Sequence, residues 1–452
     1  MTDVGSTTCD LPLEYVLRLL AGNEQAAGRS LNLVASENAM SGVAKLPLLL
    51  DTYHRYFFNE TQHAERWRFR GGELVAELET RFTVPLLTEL AHARFANVRP
   101  LSGISAMTLV LAALGGPPGS TVATVAPAQG GHYATAGIAG RMGLHVEFLG
   151  GPDAHTVDYD RVADVVARSR PALVYVDQSN ALFPLDVRRL VDAVRAAHPA
   201  TLVHVDASHW MGLVLGKVFA NPLACGADSF GGSTHKTFPG PQKAVFVTDR
   251  EDLAERVRQT QDFMLSSHHF AATISLGIAL LEFRDFGGER YARSVVENTR
   301  SFARALDRCG VDVAAADRGY SAGHQLWLDV EAGGVGARVA SDRLYEAGLR
   351  VNFLDDLPGF SRPALRIGLN EATFRGVGDE DLDVLAEVFA AALHARAPAA
   401  QLAASVAEVL SRSHRRYGIP VVPGEPLLDQ ALALCAQALA GTPVADDVCR
   451  RV

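Results

Sequence analysis

Short apolar runs followed by an acid alternate with a helical segment in the middle of the chain, and this alternation constrains the fold most. The runs cover residues 172–177, 201–205 and 244–249, and a helix pattern over residues 187–197 separates the first two. Strands that alternate with helices are typical of a parallel sheet with helices on its faces. The sequence therefore predicts an α/β fold, with ligand chemistry at the edge where the strands end.

A lysine in a turn framed by glycine and proline follows the strand that ends in Asp206. Lys236 stands in a Ser-Thr-His-Lys-Thr segment together with Thr234 and His235, and His209 lies between the acid and this turn. A pyridoxal phosphate (PLP) enzyme needs such a pair, because the lysine forms a Schiff base with the aldehyde while the acid keeps the pyridine nitrogen protonated. A lone lysine beside hydroxyl residues more often belongs to a solvated loop. The prediction therefore depends on the order of Asp206, His209 and the Thr-His-Lys turn, and not on the lysine alone.

A Ser-Gly turn opens an Ala/Leu-rich helix upstream of the lysine. The free N–H groups in the first turn of a helix form an anion site, which suits the phosphate of PLP. Ser102, Gly103 and Ser105 are the predicted phosphate contacts. Alone, this pattern would be weak, since helix caps of this kind are common.

The composition excludes several classes of partner. The 452 residues carry a formal net charge of -9, and 48% of them are hydrophobic. An acidic chain is unsuited to a phosphate backbone, so no nucleic-acid partner is expected. No long apolar run and no basic-then-apolar leader is present, so we expect a cytoplasmic protein without a membrane partner. The five cysteines are scattered, without metal-ligand spacing or a disulfide framework, and no metal site is predicted.

Several segments together resemble serine hydroxymethyltransferase. The family pattern is an acid, a nearby histidine, a Gly-Leu pair and then THKT-x-x-GP, and this chain matches it in order from Asp206 to Pro241. The segment Leu-Val-Ala-Ser-Glu-Asn around Ser36 is similar to the family's L-I-A-S-E-N, and Leu-Arg-Ile-Gly around Arg366 matches its R-I-G motif. The resemblance spans roughly residues 30–390.

The resemblance implies a PLP-dependent transferase of fold type I. Such an enzyme has a large domain with a mostly parallel, seven-stranded-type sheet and a smaller C-terminal α/β domain. We expect an N-terminal arm at residues 1–40, the large PLP-binding domain at 41–295, and the small domain with a helical extension at 296–452. The resemblance also implies a homodimer with shared active sites.

The resemblance also assigns roles to residues of this chain. Lys236 would hold PLP, Asp206 would pair with the pyridinium, and His132 would stack on the ring. The remaining cofactor contacts within the subunit would be His209, Ser179 and His235. Ser267 would contact the phosphate of the PLP bound in the neighbouring subunit. Arg366 would bind the substrate carboxylate, with Ser36 and Tyr56 nearby, because the planar fork of arginine takes a carboxylate bidentately. Tyr56, His132 and Thr234 all remain candidates for the proton shuttle.

Departures from the family pattern concentrate where the family handles folate. Phe58 stands where the family has a glutamate, although Asn59 and Glu60 are close, and Phe69-Arg70 replaces a Tyr-Tyr pair. Tyr133 replaces a residue that touches folate, and the segment before Arg366 is shorter than in the family. These departures weaken the case for folate binding, and whether folate is used at all stays open.

Loss of folate groups with retention of the PLP groups is similar to the threonine transaldolases. These relatives cleave Cα–Cβ of L-threonine, or L-serine, and add the glycyl carbanion to an acceptor aldehyde, often in natural-product biosynthesis. We expect this reaction, which gives a β-hydroxy-α-amino acid. A folate-dependent serine/glycine hydroxymethyltransferase, another PLP chemistry such as transamination or racemisation, and a non-catalytic scaffold are the alternatives. The acceptor aldehyde and the choice between dimer and tetramer stay open.

Overall fold

A computed structural model describes residues 12–58, 61, 63–415, 417–420 and 426–440. In these ranges the strands are β1 Leu31–Asn32, β2 Phe95–Asn97, β3 Thr121–Val125, β4 His145–Leu149, β5 Leu173–Asp177, β6 Leu202–Asp206, β7 Ser229–Ser233, β8 Ala244–Thr248, β9 Gln325–Leu328, β10 Leu349–Arg350, β11 Asn352–Leu354 and β12 Ala364–Gly368.

The helices of the described residues are α1 Leu13–Arg29, α2 Gly42–Lys45, α3 Glu73–Glu77, α4 Val84–Ala91, α5 Gly103–Leu114, α6 Tyr133–Arg141, α7 Tyr159–Ser169, α8 Val187–Ala197, α9 Met211–Leu215, α10 Glu251–Met264, α11 Phe270–Asp285, α12 Gly288–Arg308, α13 Ala337–Glu346, α14 Asn370–Phe374, α15 Asp379–Leu393, α16 Ala399–Arg412 and α17 Pro426–Ala440. A π-helical turn, Leu78–Thr83, joins α3 to α4. No helix in these ranges is both long and apolar enough to cross a lipid bilayer.

A seven-stranded sheet forms the centre of the large domain, which confirms the predicted fold class. Its strand order is β2-β8-β7-β6-β5-β3-β4. The neighbours from β7 through β4 run parallel, whereas β8 is antiparallel to both β7 and β2. The parallel strands therefore end at one edge, and β5 and β6 end there side by side, with Asp177 opposite Asp206.

Helices cover both faces of this sheet, as the apolar strands require. All five residues of β5 and of β6 are buried, which is typical of strands covered on both sides. Val174 and Val203 pack on the side of α7 and α8, whose apolar stripes face the sheet. Leu173 and Leu202 pack on the opposite side against α5 and α10.

The C-terminal part of the chain has its own apolar core. Its three-stranded antiparallel sheet has the order β11-β12-β9, and α13, α15 and α16 pack around it. The N-terminal segment joins this core, because β1 pairs parallel with β10 and buries Leu31 and Leu33 completely. The division of the chain at residues 41–295 and 296–452 stays a prediction.

The strands predicted over residues 172–177, 201–205 and 244–249 occur as β5, β6 and β8, each within one residue of its predicted ends. The helix predicted for residues 187–197 occurs with those bounds. Three strands of the central sheet were not predicted: β2, β4 and β7. The last of these has the sequence Ser-Phe-Gly-Gly-Ser, whose glycines are disfavoured in strands.

Candidate active site

A cavity of about 260 Å³ opens at the edge of the central sheet where the parallel strands end. Such an edge is where open α/β sheets bind their ligands. The cavity is lined by eight of the residues that the sequence predicts as cofactor contacts: Ser102, Gly103, His132, Ser179, Asp206, His209, His235 and Lys236. The fold thus gathers most of the predicted cofactor contacts around one space.

Asp206 is held in place by two hydrogen-bond donors. Its Oδ2 accepts from the Tyr175 hydroxyl at 2.7 Å, and its Oδ1 accepts from the Ser208 N–H at 2.9 Å. Burial raises the pKa of Tyr175 well above its ordinary value, so that the phenol remains a donor. A charge held by two fixed donors suits the group that faces a pyridinium nitrogen.

The Lys236 turn packs directly on the segment that follows Asp206. The Thr237 hydroxyl donates to the backbone oxygen of His209 at 3.0 Å and accepts from the Gly212 N–H at 3.0 Å. A Cβ on Gly212 would lie only 2.3 Å from the Thr237 carbonyl oxygen. The spacing between the His-x-x-Gly and Thr-His-Lys-Thr motifs therefore has a physical reason, which is this close contact.

Burial sets the state of the Lys236 amine. It lowers the pKa of Lys236 to about 8, and the opposing charge of Asp206 only partly offsets it. The amine therefore loses its proton more readily than an exposed lysine does, as a nucleophile requires. The turn itself is fixed from the N-terminal segment, since the Asn38 side chain donates to the Lys236 carbonyl at 2.7 Å.

The residues on either side of Lys236 differ in what they contact. The Thr234 hydroxyl is buried and donates to the Pro241 carbonyl at 2.7 Å, inside the turn. His235 lines the cavity, and its Nδ1 is buried without a hydrogen-bond partner among the described residues. Burial, followed by the charge of Lys236, lowers the pKa of His235 to about 4, so its ring is neutral near neutral pH.

The predicted phosphate contacts form the start of α5. Ser102 caps the helix: its hydroxyl accepts from the Ser105 N–H at 3.2 Å, while the Ser105 hydroxyl accepts from the Ser102 N–H at 2.9 Å. Gly103 is the first helical residue, and a Cβ there would lie 2.3 Å from the Ser233 hydroxyl oxygen. The helix start can thus approach β7 closely only because residue 103 is glycine.

His132 caps α6 at the cavity wall. Its Nδ1 accepts from the Ala134 N–H at 3.2 Å, which fixes the ring. Burial lowers the pKa of His132, so the imidazole is neutral and remains able to accept that bond. The exposed Tyr133 stacks on it with ring centroids 4.7 Å apart.

A buried pair of histidines lies behind the lysine. Nδ1 of His209 lies 3.2 Å from Nε2 of His324 and 3.1 Å from Nε2 of Gln325. The Gln325 amide also donates to the Ser179 carbonyl at 2.9 Å, which connects the small-domain strand β9 to the cavity. Burial lowers the pKa of both histidines, of His209 well below its ordinary value and of His324 to about 3, so both rings are neutral.

Arg366 lies on β12 and is 8% exposed. Nη1 donates to the Asn180 side chain at 2.7 Å, and Nε has no hydrogen-bond partner among the described residues. Burial lowers the pKa of Arg366 to about 10, which still leaves it charged at neutral pH. The segment that carries Ser36 lies beside this strand, because Val34 forms a bridge with Ile367.

Tyr56 and Ser267 do not line the cavity of their own chain. Tyr56 is 46% exposed, and its hydroxyl bonds to the Ser266 hydroxyl at 2.8 Å. Phe58, at the position of the family's glutamate, forms a β-bridge with Ser267. Asn59 and Glu60 lie outside the described residues.

Some residues around the cavity were not predicted from the sequence. They are Tyr175, Asn180, His324 and Gln325, together with Asp177, which also lines the cavity. Asp177 ends β5 and Asn180 follows it. Polar residues at the end of a buried strand are recognisable in the sequence as candidates for the site. Tyr175 stands inside an apolar run, where nothing marks its hydroxyl as functional.

The cavity fits PLP on three observations. The Lys236 amine shares it with a hydrogen-bonded acid, Asp206. The start of α5 lines it, with the N–H groups of Gly103 and Ile104 outside the Ser102–Ser105 capping box and directed to a phosphate position. Beside the cavity, the buried Nε of Arg366 lacks an acceptor among the described residues, and a substrate carboxylate would supply one. Together the sheet and this site define a PLP-dependent enzyme of fold type I.

Comparison with known proteins gives the family. The profile of serine hydroxymethyltransferase matches residues 14–389, and the chain belongs to that family. An L-threonine:uridine-5'-aldehyde transaldolase from a Streptomyces species is 46% identical over 384 residues, which covers 84% of this chain and 89% of that protein. The serine hydroxymethyltransferase of Korarchaeum cryptofilum is 34% identical, over 85% of this chain and 91% of that protein.

A solved structure agrees with this assignment. The crystal structure of L-threonine transaldolase from Pseudomonas fluorescens in the internal aldimine state superposes with a TM-score of 0.81. It is 26% identical, and the match covers 94% of this chain and 97% of that one. The cofactor of this family is PLP, as the sequence predicted.

Proposed function

We propose that this protein is a PLP-dependent L-threonine transaldolase. It would cleave L-threonine to acetaldehyde and a glycyl unit, and join that unit to an acceptor aldehyde to give a β-hydroxy-α-amino acid. The observation that carries the proposal is the 46% identity to a transaldolase over 84% of the chain, against 34% to a hydroxymethyltransferase. The loss of the glutamate at Phe58 supports it.

The proposed roles follow from the geometry. When bound, PLP supplies an electron sink that lets the Cα–Cβ bond of the substrate break. Lys236 would attach the cofactor, Asp206 would hold the pyridine nitrogen protonated, and the ring of His132 would lie over the cofactor. Arg366 would bind the substrate carboxylate through Nε, while Asn180 holds its Nη1 at 2.7 Å.

One proton must move twice in this reaction. It leaves the threonine hydroxyl as acetaldehyde departs, and a proton reaches the new alkoxide when the acceptor has been added. The neutral His132 ring accepts from the Ala134 N–H at Nδ1, so its Nε2 carries a proton that it can give to the new alkoxide, whereas the Thr234 hydroxyl already donates inside its turn. We therefore favour His132 over Thr234 as the donor to the alkoxide, with Tyr56 of a neighbouring subunit as the candidate that takes the threonine proton.

We also propose a homodimer that shares its active sites. Tyr56 is 46% exposed, and Leu49, Tyr53 and Leu74 are further apolar side chains left exposed in one subunit. Exposed apolar side chains of this size favour a subunit contact. Tyr56 and Ser267 would then act in the partner's site, within a cytoplasmic enzyme of natural-product biosynthesis.

The acceptor would lie against Tyr133. This ring is 74% exposed and stacks on His132, which lines the cavity. An exposed aromatic face beside the reacting centre suits an acceptor aldehyde that carries a ring system.

The proposal is tested by following acetaldehyde with alcohol dehydrogenase. Purified holoenzyme is given L-threonine with and without an aromatic or nucleoside aldehyde, and separately L-serine with tetrahydrofolate. We expect acetaldehyde release and a new β-hydroxy-α-amino acid with the acceptor, and no folate-dependent turnover of serine. Rapid serine turnover that requires tetrahydrofolate would instead establish the hydroxymethyltransferase reaction.

A further inference from the structure

Asp177 is a second buried acid at the edge of the sheet, beside Asp206. The two residues end neighbouring parallel strands in register, and both line the cavity that contains Lys236. The side chain of Asp177 is only 3% exposed. Two carboxylates placed side by side in a buried site cannot both ionise without a large energetic cost.

Asp177 holds the start of the helix that carries His132. Its Oδ2 accepts from the Thr135 hydroxyl, which lies in the first turn of α6. The backbone N–H of His132 also donates to the Asp177 carboxyl group. Its other oxygen, Oδ1, lies 3.4 Å from the Thr124 hydroxyl on β3. The acid therefore ties the imidazole of His132 to the sheet edge through two donors of one helical turn.

The surroundings of Asp177 favour its uncharged form. Burial, followed by the charge of Asp206, raises the pKa of Asp177 to about 7, although the donors from Thr135 and His132 act in the opposite direction. The other titratable groups around this cavity are Tyr175 on the same strand, Lys236, and the histidines His132, His209 and His235. Below about pH 7 the protonated Asp177 leaves a single negative carboxylate, Asp206, to face a pyridinium nitrogen.

We propose that Asp177 is a positioning residue of the cofactor site: as a neutral acid it clamps the turn that carries His132 and leaves Asp206 as the one charged partner of the pyridine nitrogen. The proposal rests on the PLP site and not on the identity of the acceptor aldehyde. Asp177 touches neither cofactor nor substrate in this role, because it acts through the His132 ring.

The test compares Asp177→Asn with Asp177→Ala in the full-length holoenzyme. Asparagine is uncharged and keeps an oxygen that can accept from Thr135 and His132, whereas alanine removes the clamp. PLP affinity is measured by titrating the apo proteins, and the visible cofactor band is titrated from about pH 5 to about pH 9. Neither measurement involves threonine or an aldehyde, so its outcome is independent of the proposed reaction.

We expect the Asn variant to bind PLP within about twofold of the wild type, and the Ala variant about tenfold more weakly, as the loss of two hydrogen bonds implies. The spectral step near pH 7 expected of the wild type should be absent in the Asn variant. PLP binding that is weakened equally in both variants would show that the negative charge of Asp177 is needed. PLP binding that is unchanged in both would show that Asp177 does not hold the His132 turn. Either result overturns the proposal.

A second variant keeps the test valid if the Ala protein fails to fold. Thr135→Val removes one donor to Asp177 without removing the acid, and Thr135→Ser keeps the hydroxyl. We expect the Val variant to bind PLP about three- to tenfold more weakly than the Ser variant. Equal affinity of the two would contradict the clamp.

Discussion

A fully buried ion pair behind the active site makes the sharpest stability prediction, through the substitution Glu79→Gln. Glu79 is 0% exposed and Arg99 is 2% exposed, and their charged atoms lie 2.7 Å apart. The second carboxylate oxygen of Glu79 lies 2.7 Å from Nε2 of His268. Lys243 completes the group, since its Nζ donates to the His268 carbonyl at 2.8 Å.

The magnitude follows from the pKa of Glu79. Burial alone would raise this pKa, but Arg99 and His268 outweigh burial and lower it from 4.5 to about 2. Since one pKa unit corresponds to about 1.4 kcal/mol, the ionised form gains about 3 kcal/mol in the folded state. Removing one partner of a buried pair costs about 3–5 kcal/mol, because the other charge is left unpaired. The two estimates agree.

The assay is thermal unfolding of the wild type and the Gln variant at neutral pH. At about 2.1 cal/mol/K of unfolding entropy per residue, a loss of about 3–5 kcal/mol should lower the Tm of the 452-residue chain by about 3–5 °C. The folded pKa of Glu79 lies below the unfolded one, so its contribution is complete above pH 4.5 and is lost as pH falls toward about 2. The difference in Tm between the wild type and the Glu79→Gln variant should therefore become smaller as the pH falls from 4.5 toward about 2.

A neighbouring glutamate provides the matched control. Glu77 pairs with Arg81 at 2.9 Å, but the two side chains are 60% and 74% exposed. Glu77→Gln should change the free energy of unfolding by less than about 0.5 kcal/mol, because surface ion pairs contribute little. Equal Tm values for Glu79→Gln and Glu77→Gln would refute the reasoning.

Three further predictions concern the chemistry. The rate at which apo protein takes up PLP should rise as pH increases through about 8, because only the uncharged amine of Lys236 attacks; a rate independent of pH would contradict this state of the amine. Arg366→Lys should raise the KM for L-threonine about ten- to a hundredfold, with a smaller change in kcat, because lysine cannot bind a carboxylate bidentately. Tyr133→Leu should raise the KM for an aromatic acceptor about three- to tenfold while the KM for threonine changes less; an equal effect on both substrates would remove Tyr133 from the acceptor site.

The large-scale fold was predictable because its signals are local. Apolar runs that end in an acid mark β5 and β6, and a helical pattern marks α8. The strands that were missed lack these signals. β4 is partly exposed along its length, and β7 contains two glycines that pack where a side chain would collide with neighbouring backbone or side-chain atoms. Their pairing is decided by tertiary contacts, which a local pattern does not contain.

The site could be predicted from the sequence where its residues lie close together along the chain. Lys236, Asp206 and His209 belong to one compact segment of the sequence, and all three line the cavity. The contacts of Glu79 with Arg99 and His268, and those of Asp177 with Thr135, connect segments that are distant in sequence. No spacing between residues in the sequence therefore reveals them. Whether a buried acid is charged depends on three-dimensional neighbours, as the opposite pKa directions of these two carboxylates demonstrate.

The proposed glycyl transfer is tested most directly with L-threonine labelled isotopically at Cα. The holoenzyme is incubated with this substrate, an acceptor aldehyde and no folate, and the products are analysed by mass spectrometry. We predict that the label appears in the new β-hydroxy-α-amino acid and that the released acetaldehyde is unlabelled. Label that accumulates only in free glycine, or that reaches a larger amino acid only when tetrahydrofolate is added, would contradict the transaldolase assignment.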